Sequence, residues 1–367
     1  MNFKETFYFI AKCLTISYEK RNRKEIEKQL SSEIIDWDKV VKVSTAQYVL
    51  PALYCNFFRA NFLHYLPKNL VVYMQYVTDE NRKRNLKFIS QAKELNKLLL
   101  SNNIKPIFLK GTANLIAKIY QDIGERMVGD IDFIFSKEDY SKAINLLKDN
   151  GYCEVKKYDY YFPDEIHYPR LHKENLIAAI EIHHEILHEK KYLKEFNFEL
   201  IEKDHQLIEE FRVLSYSNKI NISIIANQIN DNHYYYKRIS LRNAYDVFLL
   251  SKKTNAQNAV NKLDKLMTPS SCFLAACYEI FNSVDSLTYN QTKETVYYLK
   301  NFRSQFNQNK KTNTIHKLIQ IYLFVKNRFI IICKAMIFKK YRIWLFNRLT
   351  DPNWYKEKLV QLNLKKK

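Results

Sequence analysis

The sequence predicts an α+β fold: a small mixed β-sheet core with helices, flanked by helical N- and C-terminal regions. Three observations carry this expectation. Apolar residues recur at helical spacing up to about residue 104 and again beyond about residue 190. Between these stretches, short β-branched and aromatic runs alternate with turn residues, as strands do. All four glycines of the chain, Gly111, Gly124, Gly129 and Gly151, also fall in the middle. A chain this poor in glycine is expected to place its most demanding backbone there. The expected division is a helical N-terminal region over 1–104, a mixed core over 105–195 and a helical C-terminal region with a basic tail over 196–367.

The N-terminal region reads as helical from the spacing of Phe7, Phe9, Ile10, Cys13 and Leu14, and from Leu53 to Phe58. Its clearest helix runs from Asn81 to Ser101, where Leu86, Ile89, Ala92, Leu95 and Leu99 form an apolar stripe among charges. Asn102-Asn103 should end it, because asparagine tolerates positive φ after a helix. Pro106 to Leu109 follows as a short buried strand, turning through Lys110-Gly111-Thr112 into a helix that reaches Tyr120. Such a strand–turn–helix aims main-chain N–H groups at an anion. Asp130 to Phe135 alternates as a strand. Ser136 caps the next helix with Asp139 three residues on, and Asn150-Gly151 stops it. Strands are expected at Tyr152–Tyr161, His167–Leu171 and Ile177–His183, the last two joined by a hairpin turn at Lys173-Glu-Asn175. The chain then reads as helical to its end, most strongly over Arg242-Asn-Ala-Tyr-Asp246-Val-Phe-Leu-Leu250.

Composition excludes several classes. With 47% hydrophobic and 14% aromatic residues the chain has material for real cores, so it is not a disordered protein. Its six cysteines have neither zinc-ligand spacing nor a disulfide pattern, which suits reduced thiols in a cytoplasmic protein. The apolar start carries Glu5 and no small-residue cleavage site, so no signal peptide is expected. The best candidate for a membrane span, Phe329 to Phe338, is short and interrupted by Lys334. The net charge of +20 raises a polyanionic partner. Abundant Lys, Asn, Ile and Tyr also suggest an AT-rich coding bias, which explains part of that charge.

The chemistry concentrates in the middle. Residues two apart in a strand face the same way, about 6.6 Å apart, so Asp130 and Asp132 project together while Ile131 and Phe133 face the core. Paired carboxylates suit a hard divalent cation such as Mg²⁺. Glu181, on the apolar strand Ile180-Glu-Ile182, is the natural third carboxylate, with Glu185 as understudy and His183 on the same face. Three such acids can hold two ions ~3.5–4 Å apart. Lys110 and Arg126 supply cations for phosphate. Taken alone, an Asp-x-Asp is as easily a solvated strand end, and either cation an ordinary surface charge. A different pattern, His184-Glu-Ile-Leu-His188, has the spacing of a zinc hydrolase, which would need it on a helix.

Leu109-Lys-Gly-Thr-Ala113, Tyr120-x-Asp122, Arg126-x-x-x-Asp130-Ile-Asp132, Gly151-Tyr152 and Ile180-Glu-Ile-His183 together resemble the uncharacterised nucleotidyltransferase family of the DNA polymerase β superfamily. The likeness covers roughly residues 85–190 and continues more weakly through Asp246. It implies that 105–195 is a nucleotidyltransferase catalytic core. Gly111 and Thr112, with Lys110 and Arg126, would hold the phosphates of a nucleoside triphosphate, ATP first among them. Asp130, Asp132 and Glu181 would be catalytic and hold Mg²⁺ or Mn²⁺. A nucleoside monophosphate would pass to an acceptor hydroxyl whose identity the sequence does not disclose. Two departures stand out: Thr112 replaces the commoner small residue after glycine, and the spacing from Gly111 to Asp130 is longer than usual.

Between Glu294 and Asp351 the sequence has no acidic residue, while Lys, Arg and aromatic side chains interleave. Such a segment can grip nucleic acid or lie on an anionic membrane surface, which would make the cytoplasmic protein peripheral to a membrane. A helical element with a solvated basic face is the plain alternative. Two other readings of the whole chain remain beside nucleotidyl transfer: a non-catalytic nucleotide-, nucleic-acid- or membrane-binding protein on the same fold, and a zinc hydrolase using His184 and His188.

Overall fold

The structure, a computed structural model, describes residues 1–155, 160–307 and 310–361. It divides into two units, the first comprising Met1–Val155 and Ile166–Gln308, the second Lys156–Glu165 and Asn309–Lys367.

The first unit begins with helices α1 (Phe3–Cys13), α2 (Lys20–Ser32), α3 (Trp37–Ala46) and α4 (Leu50–Arg59), followed by α5 (Lys68–Ser101). At 34 residues α5 is longer than the stripe from Asn81 suggests: it packs on α4, and Met74 and Thr78 are buried ahead of that stripe. Its inner face carries buried amides, Asn81, Asn85, Gln91 and Asn96, among the apolar residues. Asn103 adopts φ 58° just past its end, as expected of asparagine after a helix.

Strand β1 (Ile107–Phe108) turns directly into α6 (Lys110–Ile116). The residue at the turn with left-handed backbone is Lys110, at φ 49°. Gly111 is needed for closeness instead, since a Cβ there would lie 3.1 Å from Val128 Cγ2. Strand β2 (Asp130–Ile134) leads to α7 (Lys137–Asp149), whose N-cap Ser136 accepts from the Asp139 N–H at 3.1 Å. Gly151 at φ 85° closes that helix.

The next strands are shorter than their sequence patterns: β3 (Cys153–Glu154), β4 (Leu171–His172) and β5 (Ala179–His183). His167 keeps only an isolated bridge to His183, and 156–159 of the expected Tyr152–Tyr161 strand lie outside the described residues. After α8 (Phe198–Lys203) comes a hairpin that the helical reading beyond residue 190 missed, β6 (His205–Ile208) and β7 (Phe211–Leu214). It lacks the Asn-Gly or Asp-Gly signal of a tight hairpin, because Glu209 takes the left-handed position, at φ 54°.

The sheet order is β3-β4-β5-β2-β1-β7-β6, with β2/β5 and β1/β7 parallel and the remaining pairs antiparallel. Alternation along the strands splits the apolar residues between its two faces. Phe108, Ile131, Phe133, Ile180, Ile182 and Val213 join the large core shared with the N-terminal helices. Ile107, Leu109, Ile134 and Leu214 join a smaller core on the other face. Helices α9 (Tyr216–Ile225), α10 (His233–Tyr236), α11 (Leu241–Ser251), α12 (Ala256–Asn261), α13 (Met267–Ile280) and α14 (Lys293–Ser304) complete this unit.

The second unit holds α15 (Lys310–Ile337), α16 (Lys339–Thr350) and α17 (Pro352–Gln361). The segment 160–165 joins them through Tyr160 Oη–Asp351 Oδ2 at 2.7 Å and the Phe162 ring 5.0 Å from that of Trp344. Large apolar side chains such as Leu318, Ile321, Val325, Phe329 and Phe346 stay exposed on α15 and α16. No helix among the described residues is long and apolar enough to cross a membrane.

Candidate active site

The parallel register of β2 and β5 sets Asp132 beside Glu181 and Ile134 beside His183. These positions share one face, so two carboxylates and an imidazole converge where the polypeptide buries its polar groups at a cost. All three side chains are buried. His183 Nε2 lies 3.1 Å from Asp132 Oδ1 and 3.5 Å from Glu181 Oε2. The left-handed turn at Lys110 delivers its ammonium into the same place. Its Nζ is 2.6 Å from Asp132 Oδ1, 3.4 Å from Glu181 Oε2 and 3.5 Å from His183 Nε2. From β4's approach, Arg170 donates Nε–H to Glu181 Oε1 at 2.8 Å and sets Nη2 3.1 Å from Asp130 Oδ2.

These contacts pull the titrations apart. Burial would raise the Glu181 carboxyl, but hydrogen bonding from His183 and the Lys110 charge hold it well below the usual range. Asp130 moves the other way: burial and the neighbouring Glu181 charge raise it, and Arg170 only partly offsets them. Lys110 is pushed down by burial but pulled up further by Asp132 and Glu181, so it stays charged.

The donor set fits a divalent cation. One ligand atom from each of Asp132, Glu181 and His183 lies within 4.8 Å of the others, and the Lys110 ammonium already lies within reach of all three. His183 Nδ1 is buried without a hydrogen-bond partner, so only Nε2 is oriented toward the cluster. The two carboxylates suit Mg²⁺ or Mn²⁺, and the imidazole nitrogen favours the transition metal Mn²⁺ over Mg²⁺ in this set.

The residues expected from the sequence are therefore placed unequally. Asp132, Glu181 and Lys110 meet. Asp130 is adjacent but outside the three-ligand group, with its carboxylate toward Arg170. Gly111 lines the cleft over the cluster. Thr112 is fully buried and its hydroxyl donates to the Asp130 carbonyl at 3.1 Å, which ties the turn to β2 rather than presenting an OH to phosphate. Arg126 is also buried. Its Nε and Nη2 lie 3.1 and 3.0 Å from Asp246 Oδ2, while Tyr120 donates to Asp246 Oδ1 at 2.7 Å. Its guanidinium edges the cleft but is committed to α11, because an unpaired buried charge costs far more than a paired one. The pair His184 and His188 follows β5 in an irregular segment rather than a helix, so the zinc-hydrolase geometry does not form.

The long interval between Gly111 and Asp130 has a structural use. Asn81 and Asn85 on α5 donate to the Gly124 and Arg126 carbonyls at 2.7–3.0 Å, and Arg82 forks onto Asp122. Buried Glu125 accepts from Arg59 at 2.7 Å and from Tyr245 at 2.5 Å. The loop is thus clamped by α4, α5 and α11. A cleft of about 360 Å³ opens here, lined by Lys110, Asp130, Asp132 and Glu181 from the sheet side of the chain and by Asp231 and Arg242 from the helical region that follows it. Sequence reasoning missed Arg170 and Arg242, whose roles depend on strand order and helix packing. The only signal was that each lies in a segment already read as regular.

Residues 33–281 match the profile of a family described as uncharacterised nucleotidyltransferase. Two solved structures from Helicobacter pylori share 14% identity with the chain: JHP933, covering 66% of this chain and 97% of its own at a TM-score of 0.30, and a protein named provisionally as a nucleotidyltransferase, covering 66% and 96% at 0.32. No curated protein matches the sequence.

Proposed function

The chain belongs to the uncharacterised nucleotidyltransferase family, and on that premise we propose that it transfers a nucleoside monophosphate from a nucleoside triphosphate, ATP first among the candidates, to an acceptor hydroxyl. One observation carries the reading: Asp132, Glu181 and His183 converge on one charge site at the edge of a cleft that also holds Lys110 and Asp130. Asp132, Glu181 and His183 would hold Mg²⁺ or Mn²⁺, with Asp130 completing a second position. The ion would neutralise phosphate charge and favour the ionised acceptor.

The protein's own residues then have distinct tasks. The acceptor oxygen forms a bond to the α-phosphorus as the bond to the β-phosphate bridging oxygen breaks, and pyrophosphate departs. The acceptor proton passes to a carboxylate of the cluster and on to water. Glu181, held below the usual range, serves better as ligand than as base. Lys110 and Gly111 at the start of α6 face the polyphosphate, where the first helical N–H groups lack intrahelical partners, while Thr112 holds the turn against β2. Arg126 acts at one remove, as a positioning residue for the loop that forms the cleft.

The test is incubation with each α-labelled nucleoside triphosphate, Mg²⁺ or Mn²⁺ and cell extract, followed by identification of the labelled product. Label transfer by the wild type and none by folded Asp132→Asn is expected, and equal transfer by both would refute the site. For the basic C-terminal unit we propose a polyanionic partner, nucleic acid or an anionic membrane surface, supported by the acid-free run from 295 to 350 and the exposed apolar residues of α15.

A further inference from the structure

The metal-binding cluster explains only part of the lining of the cleft. Three of the cations that line it are each matched by a carboxylate: Lys110 by Asp132 and Glu181, Arg170 by Glu181 and Asp130, Arg126 by Asp246. Arg242 is different. It lies in the first turn of α11, lines the same cleft and makes no ion pair with any described carboxylate. The ring of Tyr48 lies 5.1 Å from its guanidinium carbon, and its Nε is buried without a hydrogen-bond acceptor. A guanidinium drawn out of water with an unfilled donor is costly to hold. Burial and the nearby Arg126 charge both depress its titration, and the more distant carboxylates of Asp246 and Asp231 only partly offset them. The planar fork of arginine matches paired phosphate oxygens, as it does a carboxylate.

Asp231, in the same lining, likewise makes no ion pair, and burial raises its carboxyl although Arg242 partly offsets this. It opposes an anion next to Arg242, and this opposition gives the site a sign that can be tested.

We propose that Arg242 anchors the terminal phosphates of the nucleotide in the cleft that it lines together with Asp132 and Glu181 of the cluster. The polyphosphate would then lie along the cleft, with its reacting end at the cluster and its tail at α11. This rests on the reading of the site as nucleotidyltransferase, and it adds a residue from the helical region outside the sheet. It also gives Tyr48 a task, since the ring stacked against Arg242 limits the guanidinium's rotation.

The test is calorimetric titration of the full chain in Mg²⁺ with ATP, GTP, CTP and UTP, with the matching monophosphates and with inorganic tripolyphosphate. For the triphosphate that binds wild type, Arg242→Gln should weaken binding of both it and tripolyphosphate at least tenfold, leave the monophosphate within twofold, and keep the thermal midpoint. Arg242→Lys should recover part of the loss. Asp231→Asn should tighten tripolyphosphate severalfold. Unchanged triphosphate and tripolyphosphate affinity in Arg242→Gln overturns the anchor while leaving nucleotide binding standing. Equal loss of monophosphate and triphosphate overturns it too, because a tail contact cannot act on a ligand without a tail. Failure of wild type to bind any triphosphate overturns the nucleotidyltransferase reading itself.

Discussion

Replacing Asp246 by Ala tests whether Arg126 is part of the framework or a free phosphate ligand. Arg126 and Asp246 are 8% and 2% exposed, and Nη2 sits 3.0 Å from Oδ2. At that distance and an effective dielectric of ~20 their attraction is about 5–6 kcal/mol. Removing one member of such a pair strands the other charge and costs about 3–5 kcal/mol. The substitution also removes the acceptor of the Tyr120 hydroxyl, which places the expected loss toward the upper end. Urea unfolding followed by circular dichroism reads the loss. The double variant Arg126→Met/Asp246→Leu should be more stable than Asp246→Ala, because no charge is left buried alone. A loss below about 1 kcal/mol in Asp246→Ala, with no recovery in the double variant, would refute the argument and return Arg126 to the phosphates.

Asp132→Asn should lower transfer at least ~100-fold, since the metal-assisted charge stabilisation it supports is worth several kcal/mol; it should also weaken Mn²⁺ binding measured by electron paramagnetic resonance, in a chain with unchanged circular dichroism. Lys219 lies buried on α9, where burial pushes its ammonium down to about 7. The unfolded chain binds that proton more tightly, so this group makes stability rise as pH climbs from about 7 toward the unfolded value near ~10.4. Lys219→Met should therefore stabilise the chain by roughly 1–4 kcal/mol at pH 7, with the gain fading by pH 10 in thermal melts. Gly124→Ala should cost about 1–3 kcal/mol, because its Cβ would meet the Thr78 carbonyl oxygen at 3.1 Å; a neutral melt would show that the clamp on the loop is loose. Removing residues 310–367 should abolish salt-dependent binding to RNA or to anionic liposomes, and retention of both would place that binding elsewhere.

Much of the candidate site could be read directly from the chain. Asp132 and Glu181 were identifiable because strand alternation alone says which side chains share a face, and the family resemblance named the same positions. The ends of α5 and α7 were legible for the same local reason, since Asn103, Ser136 and Gly151 carry their backbone preferences with them. The hairpin β6–β7 was not legible. Its four-residue strands are short and its turn uses Glu209, so it forms because β1 offers a parallel edge to β7, a contact about a hundred residues away in sequence. His183 was visible as a neighbour of Glu181, but its place in the ligand group depends on the register of β5 with β2.

The sequence by itself determined the α+β class, the strand-borne acids and the family, because periodicity and short motifs are local properties of the chain. Tertiary structure alone decided which charges are free to act. It buried Arg126 against Asp246, turned the Thr112 hydroxyl onto β2, brought Arg170 and Lys110 to the carboxylates, and left Arg242 unpaired in the cleft. Charge pairing falls steeply with distance and burial, and those distances are set by packing between segments far apart in the chain.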